Sequence, residues 1–196
     1  MTRSSHQEQQ RRTFKEPPST EEISKLLAFA RRKPHTRDLR DIVGIIGHTG
    51  LRPRELSDLR WEHVDLRSHS ITVVSDKSGA TRRVPFTRKT AMIFRRRLQH
   101  QPRTDHVFGV APRSVLLRVS RQLRTFAAQL GIRPFSLYSL RHAFASRLAN
   151  SGGNAFLLAC ILGNRSFSTM MRRFILPSEQ PRIAEQQLEV VESQAS

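Results

Sequence analysis

The chain has 196 residues, with 34 lysines and arginines against 16 acidic residues and a formal net charge of +18. This length favours one domain, and so large a basic excess favours nucleic acid, before an anionic membrane surface, as the partner. A single cysteine, Cys160, excludes an internal disulfide and a cysteine-based zinc site. No apolar stretch reaches the roughly 18 residues of a membrane span. We expect a cytoplasmic protein without metal or cofactor, in which Cys160 is a buried thiol.

The N-terminal third predicts a basic arm followed by helices. Residues 1–16 are polar and basic, which is typical of a flexible segment. The capping-box pattern Ser19-Thr-Glu-Glu22 then opens a helix that ends near Pro34. A second helix is predicted from about Thr36 to the stop at Thr49-Gly50, and Pro53 fits the first turn of a third.

The middle of the chain changes to an extended pattern. The β-branched stretch Ser70–Ser75 predicts a strand, Asp76–Gly79 a turn and Ala80–Phe86 the returning strand of a hairpin. A helix from about Thr87 to His100 follows. We interpret its Arg95-Arg96-Arg97 run as a solvated face.

Three further helices are predicted at Pro112–Gly131, Ser136–Ser151 and Ala155–Leu162. The fold class is therefore α+β, mainly helical, with a small antiparallel sheet. We expect one domain over residues 17–178 and a C-terminal tail or helix over 179–196.

The helix that begins after Ser136 combines a buried stripe with a polar face. Leu137 and Leu140 fall on the stripe that packs against a core. Tyr138, Arg141 and His142 lie at i, i+3 and i+4 and therefore share another face. A phenol, a guanidinium and an imidazole can each hydrogen-bond a phosphate oxygen, so this face is a candidate phosphate site.

Four motifs in order resemble the catalytic domain of the tyrosine recombinase (phage integrase) family over about residues 19–178. They are Thr49-Gly-Leu-Arg-Pro-Arg-Glu-Leu56, the hairpin Asp76-Lys77-Ser-Gly that ends in Arg83-Val-Pro-Phe86, Tyr138-Ser-Leu-Arg-His142, and Leu162-Gly-Asn164. The resemblance implies that family's catalytic-domain fold, without its separate N-terminal DNA-clamping domain. It also implies site-specific DNA recombination and integration, by strand cleavage and rejoining through a phosphotyrosine.

The resemblance assigns roles to individual residues. Arg52 and Arg141 would hold the non-bridging oxygens of the scissile phosphate, and Lys77 would give a proton to the leaving 5′-oxygen. Glu55 would brace Arg52. Taken alone, either arginine could be an ordinary surface or salt-bridge residue and Lys77 an ordinary hairpin tip, but the order of the motifs favours a catalytic pocket. Whether His142 belongs to this pocket or is structural stays open.

Three positions depart from the family pattern. Tyr138 stands where the motif has histidine, and Asn164 where it has histidine or tryptophan. Both can still hydrogen-bond an oxygen in the pocket, but neither is an imidazole acid or base. The nucleophile position falls on Arg173, with Phe174 beside it, and neither can form a phosphotyrosyl bond. Tyr138 is the only tyrosine in the chain.

We therefore expect a DNA-binding protein of this family that is degenerate in strand cleavage. Two alternatives stay open: an active recombinase that uses Tyr138 or a tyrosine supplied by a partner, and a plain nucleic-acid-binding regulator. DNA is the expected partner. A second copy of the chain or an intact recombinase subunit is a further candidate partner, and no membrane contact is expected.

Overall fold

The computed structural model of the chain describes residues 17–74, 81–100, 104–151 and 155–163, without the side chains of residues 155 and 156. Seven α-helices and one three-stranded antiparallel sheet lie in this part, which confirms the mainly helical α+β fold. The helices are α1 Thr20–Arg31, α2 Arg37–Thr49, α3 Pro53–Ser57, α4 Arg88–His100, α5 Pro112–Gln129, α6 Leu137–Asn150 and α7 Ala155–Leu162. None of these helices is long and apolar enough to cross a membrane. The expected N-terminal arm and C-terminal tail lie outside the described residues.

Helix α2 forms the centre of the core. Its side chains Leu39, Ile42, Ile45 and Ile46 are fully buried because α1, α4, α5 and α6 pack around it. The helix ends at Gly50, whose φ of 66° is a left-handed conformation that glycine adopts without a Cβ penalty. The core therefore fixes where the chain leaves α2.

Side-chain caps define the starts of α1 and α6, and the sequence predicts the first of these caps. The amide of Glu22 donates to Ser19 Oγ at 3.1 Å, and the amide of Ser19 donates back to the Glu22 carboxylate at 2.8 Å. Ser136 Oγ accepts from the amide of Ser139 at 3.1 Å. Each cap satisfies a helix N–H that would otherwise have no partner.

The sheet has the order β1-β2-β3, with β1 Val64–Asp65, β2 Ser70–Val74 and β3 Thr81–Pro85. Ile71 pairs with both Val64 and Val84, so one face of the hairpin turns apolar side chains to the core. The two-residue strand β1 is an addition to the predicted hairpin. Its length is too short for an alternating pattern to reveal it.

The interpretation of Arg95-Arg96-Arg97 as a solvated face is wrong for Arg97, which is only 2% exposed. Arg97 Nη1 donates to Asp41 Oδ2 at 2.9 Å and to Asp38 Oδ1 at 3.0 Å, and Arg96 also pairs with Asp41. The guanidinium is buried because two carboxylates of α2 balance its charge.

Cys160 is exposed, so the expectation of a buried thiol is wrong as well. Helix α7 turns Leu158, Ile161 and Leu162 inward, and Cys160 falls on the opposite side of the helix.

Candidate functional site

Arg52 is positioned by the start of the short helix α3. It is the N-cap residue, and its backbone N–H donates to Glu55 Oε2 at 2.8 Å. Its side chain returns to the same carboxylate, with Nη1 donating to Glu55 Oε1 at 2.7 Å. Glu55 therefore holds Arg52 through both backbone and side chain, as the sequence predicts. The Arg52 side chain is 34% exposed, which leaves part of its guanidinium accessible from solvent.

Arg141 approaches the same carboxylate from helix α6. Its side chain is 1% exposed, and Nη1 lies 3.9 Å from Glu55 Oε2. Nη1 donates to the carbonyl of Gly50 at 2.6 Å and Nη2 to the carbonyl of Leu162 at 2.6 Å. Its Nε is buried and has no hydrogen-bond partner in the described part of the chain. Burial, followed by the nearby charge of Arg52, lowers the pKa of Arg141 to about 10, so the side chain stays cationic at neutral pH.

Arg82 on β3 is a third arginine at this site, and the sequence reading missed it. Its Nη2 donates to Glu55 Oε2 at 2.7 Å and its Nε to the carbonyl of Ile161 at 2.9 Å. The alternation of side chains along β3 could have predicted the position of Arg82. Val84 is the apolar residue of β3 and is fully buried, so Arg82, two positions earlier, has to lie on the same face.

The C-terminal end of α7 contacts all three arginines. The successive carbonyls of residues 161, 162 and 163 accept from Arg82, Arg141 and Arg52, the last from Nη2 at 3.2 Å. Carbonyls at a helix C-terminus lack partners within the helix and carry its partial negative charge, so they attract cations. We call Arg52, Glu55, Arg82 and Arg141 the Glu55 cluster.

The Glu55 cluster has a net charge of +2, since one carboxylate balances three guanidiniums. Burial alone raises the pKa of Glu55, but hydrogen bonds from Arg82 and from the Arg52 backbone outweigh it, and its pKa lies below the ordinary value of 4.5. Glu55 is therefore ionised near neutral pH. The two positive charges in excess form a partly buried site that suits an anion with hydrogen-bond acceptors, such as a phosphate group.

Tyr138 and His142 lie beside Arg141 on α6. Their rings are 5.5 Å apart between centroids, and Tyr138 is 42% exposed. Tyr138 lies three residues before Arg141 on α6, so the two side chains share one side of the helix near the Glu55 cluster. The structure thus brings Arg52 and Arg141 to one carboxylate, while Tyr138 and His142 contact each other on the helix that carries Arg141. Lys77, Asn164, Arg173 and Phe174 lie outside the described residues, where the expectations for them stay predictions.

The described part of the chain holds no group of three or more His, Cys, Asp or Glu side chains placed to bind a metal ion. Its ionisable groups at this site are arginines around one carboxylate, an arrangement that binds anions rather than cations.

Comparison with known proteins gives relatives along most of the chain. The tyrosine recombinase XerA of Saccharolobus solfataricus is 29% identical over 150 residues, which cover 76% of this chain and 48% of that protein. The chain thus spans about half the length of this relative.

Solved structures support the same relationship. The crystal structure of a XerA recombinase superposes with a TM-score of 0.71 at 25% identity and covers 89% of this chain and 65% of that one. The Tn1549 transposon integrase, solved in complex with a circular intermediate DNA, has the same fold at a TM-score of 0.75 and 17% identity, over 87% of this chain and 65% of that one. The family model described as the phage integrase family matches residues 19–178. The chain therefore belongs to the phage integrase family, the family of the tyrosine recombinases.

Proposed function

We propose that this chain is a DNA-binding member of the phage integrase family that holds a DNA phosphate at the Glu55 cluster and lacks a cleaving tyrosine of its own. The observation that carries the proposal is the Glu55 cluster itself, in which three arginines from α3, β3 and α6 share one carboxylate. An excess of two positive charges, with Arg52 partly open to solvent, supports phosphate binding.

Arg52 and Arg141 differ in exposure, and we propose that they therefore have different roles in phosphate binding. Arg52 is the partly exposed member, and we propose that its planar guanidinium donates to the non-bridging oxygens of a backbone phosphate. Arg141 is fully buried and contributes a fixed positive charge behind that contact. By resemblance to the family, Lys77, Tyr138, His142 and Asn164 would complete the pocket.

Two observations support DNA as the partner: the net charge of the chain and its structural similarity to an integrase solved with DNA. The net charge of +18 favours a polyanion, and the Tn1549 integrase with the same fold was solved with DNA. We propose that the lack of cleavage follows from composition, since Tyr138 is the only tyrosine. It lies one helical turn before the buried Arg141, so we expect it beside the phosphate rather than in line with the bond to the leaving group.

Binding is tested by measuring duplex DNA affinity for Arg52→Gln against Arg124→Gln, an exposed arginine on α5 outside the Glu55 cluster. Loss of a charge-assisted phosphate contact costs about 1.5–3 kcal/mol, so Arg52→Gln weakens binding roughly ten- to a hundredfold. Arg124→Gln has an effect below about threefold. Equal losses in both variants would contradict a phosphate site at Arg52.

Cleavage is tested with nicked duplexes, on which a tyrosine recombinase is trapped as a covalent adduct. The parent chain yields no adduct that survives denaturation, whereas an active tyrosine recombinase run in parallel does. A denaturant-stable adduct would overturn the proposal that the chain does not cleave DNA.

One observation favours a second candidate, an active recombinase that uses Tyr138 or a tyrosine from a partner protein. Tyr138 is exposed and lies one helical turn before Arg141 on α6. In that case the parent forms adducts, alone or with an intact recombinase subunit. Tyr138→Phe abolishes the adducts if Tyr138 is the nucleophile and leaves them if the tyrosine comes from the partner. If the parent and Tyr138→Phe form no adduct, either alone or with the intact recombinase subunit, this second candidate fails.

A further inference from the structure

A second basic region lies at the opposite end of α2 from the Glu55 cluster. A cleft of about 700 Å³ opens where α1 turns into α2 and where α4 ends against α5. Five cationic side chains line it: Lys33, Arg37, Arg40, Arg97 and Arg118. We call this region the α2 cleft. Its size lies within the range of ligand-binding sites, while its lining is too polar for an apolar small molecule.

The cations of the α2 cleft outnumber the acids that face them. Asp38 and the buried Asp41 are the carboxylates here, and both are engaged by arginines of α4 and α5. Among the described residues, no acid lies within ion-pair distance of Lys33, Arg37 or Arg40. These three side chains therefore leave positive charge uncompensated on one side of the cleft.

Arg40 adds a more specific signal. Its Nε is buried from solvent and donates to no atom in the described part of the chain. A buried N–H without an acceptor leaves its positive dipole unbalanced, which adds to the positive potential at the α2 cleft. The structure has a second such Nε at Arg141, in the Glu55 cluster that we assign to phosphate.

The floor of the α2 cleft is rigid. Arg97 is held by Asp38, by Asp41 and by the carbonyl of Val107 at 3.2 Å, and its guanidinium lies 4.1 Å from the ring centre of Phe108. Since Asp38 and Asp41 balance the charge of Arg97, this residue fixes the shape of the cleft, and the attraction for an anion comes from Lys33, Arg37 and Arg40.

The N-terminus of α2 adds to the attraction of anions. Its N-cap residue Thr36 makes no side-chain cap, because its hydroxyl instead donates to the carbonyls of Ala30 at 2.6 Å and Lys33 at 3.0 Å. The partial positive charge of the helix start thus combines with Arg37 and Arg40.

We propose that the α2 cleft is a second phosphate-binding site of this protein. The 13 residues of α2 place it about 20 Å from the Glu55 cluster, because a helix rises 1.5 Å per residue. One phosphodiester in the Glu55 cluster cannot fill both sites. The ligand is a phosphate-bearing polyanion, either a further stretch of nucleic-acid backbone or a free polyphosphate. The two sources present the same phosphate groups to the cleft, and the experiment below distinguishes between them.

The test measures inorganic tripolyphosphate binding to the full chain by calorimetry. The double variant Arg37→Gln/Arg40→Gln removes two unpaired cations of the cleft. The control Arg88→Gln/Arg124→Gln removes two exposed arginines that line no part of the cleft, so both proteins lose the same charge. We expect the Kd for tripolyphosphate to rise about tenfold or more in the cleft variant and to change less than about twofold in the control. Lys33→Gln serves as an independent cleft variant that leaves α2 untouched.

A second arm of the experiment identifies the source of the phosphate. If the cleft variants also weaken duplex DNA binding relative to the control, the ligand is nucleic-acid backbone. If DNA binding is unchanged while tripolyphosphate binding is lost, the ligand is a free polyphosphate. The proposal is overturned if the parent does not bind tripolyphosphate at millimolar concentration. Equal losses in the cleft and control variants, at unchanged thermal stability, overturn it as well.

Discussion

Glu55 is the residue on which the geometry of the candidate site depends. Its carboxylate is 15% exposed and is bonded directly to Arg52 and Arg82, with Arg141 at 3.9 Å. Without this carboxylate, three guanidiniums would repel one another in a partly buried space. The residue therefore contributes to stability through charge balance as much as through its hydrogen bonds.

Glu55→Gln tests this balance, since glutamine keeps the shape of the side chain and removes its charge. We expect the free energy of unfolding to fall by about 3 kcal/mol, the order found when one partner of a buried ion pair is lost. Denaturant unfolding measures it. The control Glu62→Gln changes an exposed carboxylate 3.7 Å from Arg60 and shifts stability by less than about 0.5 kcal/mol. Equal values for the two variants would show that Glu55 balances no buried charge.

The same carboxylate predicts a pH dependence. The pKa of Glu55 in the folded protein lies below its ordinary value of 4.5, so folding favours the ionised form. Its contribution is complete above the unfolded pKa and is lost as pH falls through the folded pKa. The stability difference between the parent and Glu55→Gln is therefore constant above about pH 5 and shrinks as pH is lowered below 4.5. A difference that widens towards low pH in denaturant titrations would contradict this sign.

At the scale of elements, the packing of α6 against the end of α2 depends on Gly50. A Cβ on Gly50 would overlap Cδ1 of Phe144 and would lie 2.9 Å from Cδ2 of Leu162. The carbonyl of Gly50 also accepts from Arg141. Two helices and one arginine of the Glu55 cluster thus rely on the absence of a side chain here.

Gly50→Ala and Gly131→Ala form a matched pair, because both glycines end a helix with φ above 60°. A Cβ on Gly131 meets nothing within 4 Å, so that variant measures only the backbone cost, about 1 kcal/mol. Gly50→Ala adds overpacking of about 1–3 kcal/mol. Thermal and denaturant unfolding distinguish the two, and similar values would mean that Phe144 moves aside freely.

Arg82 and Arg83 give a second matched pair on neighbouring positions of β3. Arg82 joins the strand to α7 and Glu55, whereas the Arg83 side chain is 66% exposed. Arg82→Ala should destabilise the protein by about 2–3 kcal/mol and speed amide hydrogen exchange in α7. Arg83→Ala should cost below about 1 kcal/mol and leave α7 unchanged. Unaltered exchange in α7 after Arg82→Ala would refute the link between the strand and the helix.

The element boundaries were predictable where a local signal fixed them. Capping serines at Ser19 and Ser136 and the left-handed Gly50 define helix ends within a few neighbouring residues, and the structure confirms these ends. The burial of Arg97 was not predictable, because its partners Asp38 and Asp41 lie more than 50 positions away. A local charge pattern contains no information about such distant partners.

At the scale of the whole molecule, the net charge of +18 favours a polyanion, and the proposed DNA binding should weaken with salt according to the number of phosphates contacted. If the protein contacts six to ten phosphates, its affinity falls roughly 10³- to 10⁵-fold between 50 and 200 mM salt. Arg52→Gln should lower the slope of log affinity against log salt by about one unit. A parent slope near zero in a salt titration would exclude phosphate contacts as the main source of affinity.

The candidate site was predictable only in part. Motif order indicates Arg52 and Arg141, and the structure places both at one carboxylate. The motif order does not reveal how the two arginines are held. The carbonyls that accept from them lie at the end of α7, which is remote in sequence. Hydrogen bonds to backbone carbonyls leave no trace in residue identity, so a sequence pattern cannot report them.

The end of α7 has a consequence for how such a protein can change over evolutionary time. Its three consecutive carbonyls bind Arg82, Arg141 and Arg52, so each arginine supports the packing of a helix whether or not DNA is present. Selection for a folded protein alone would then preserve these arginines. If the Glu55 cluster holds a phosphate as proposed, selection for the fold alone would keep that phosphate site in place, whatever happens to the residue at the nucleophile position.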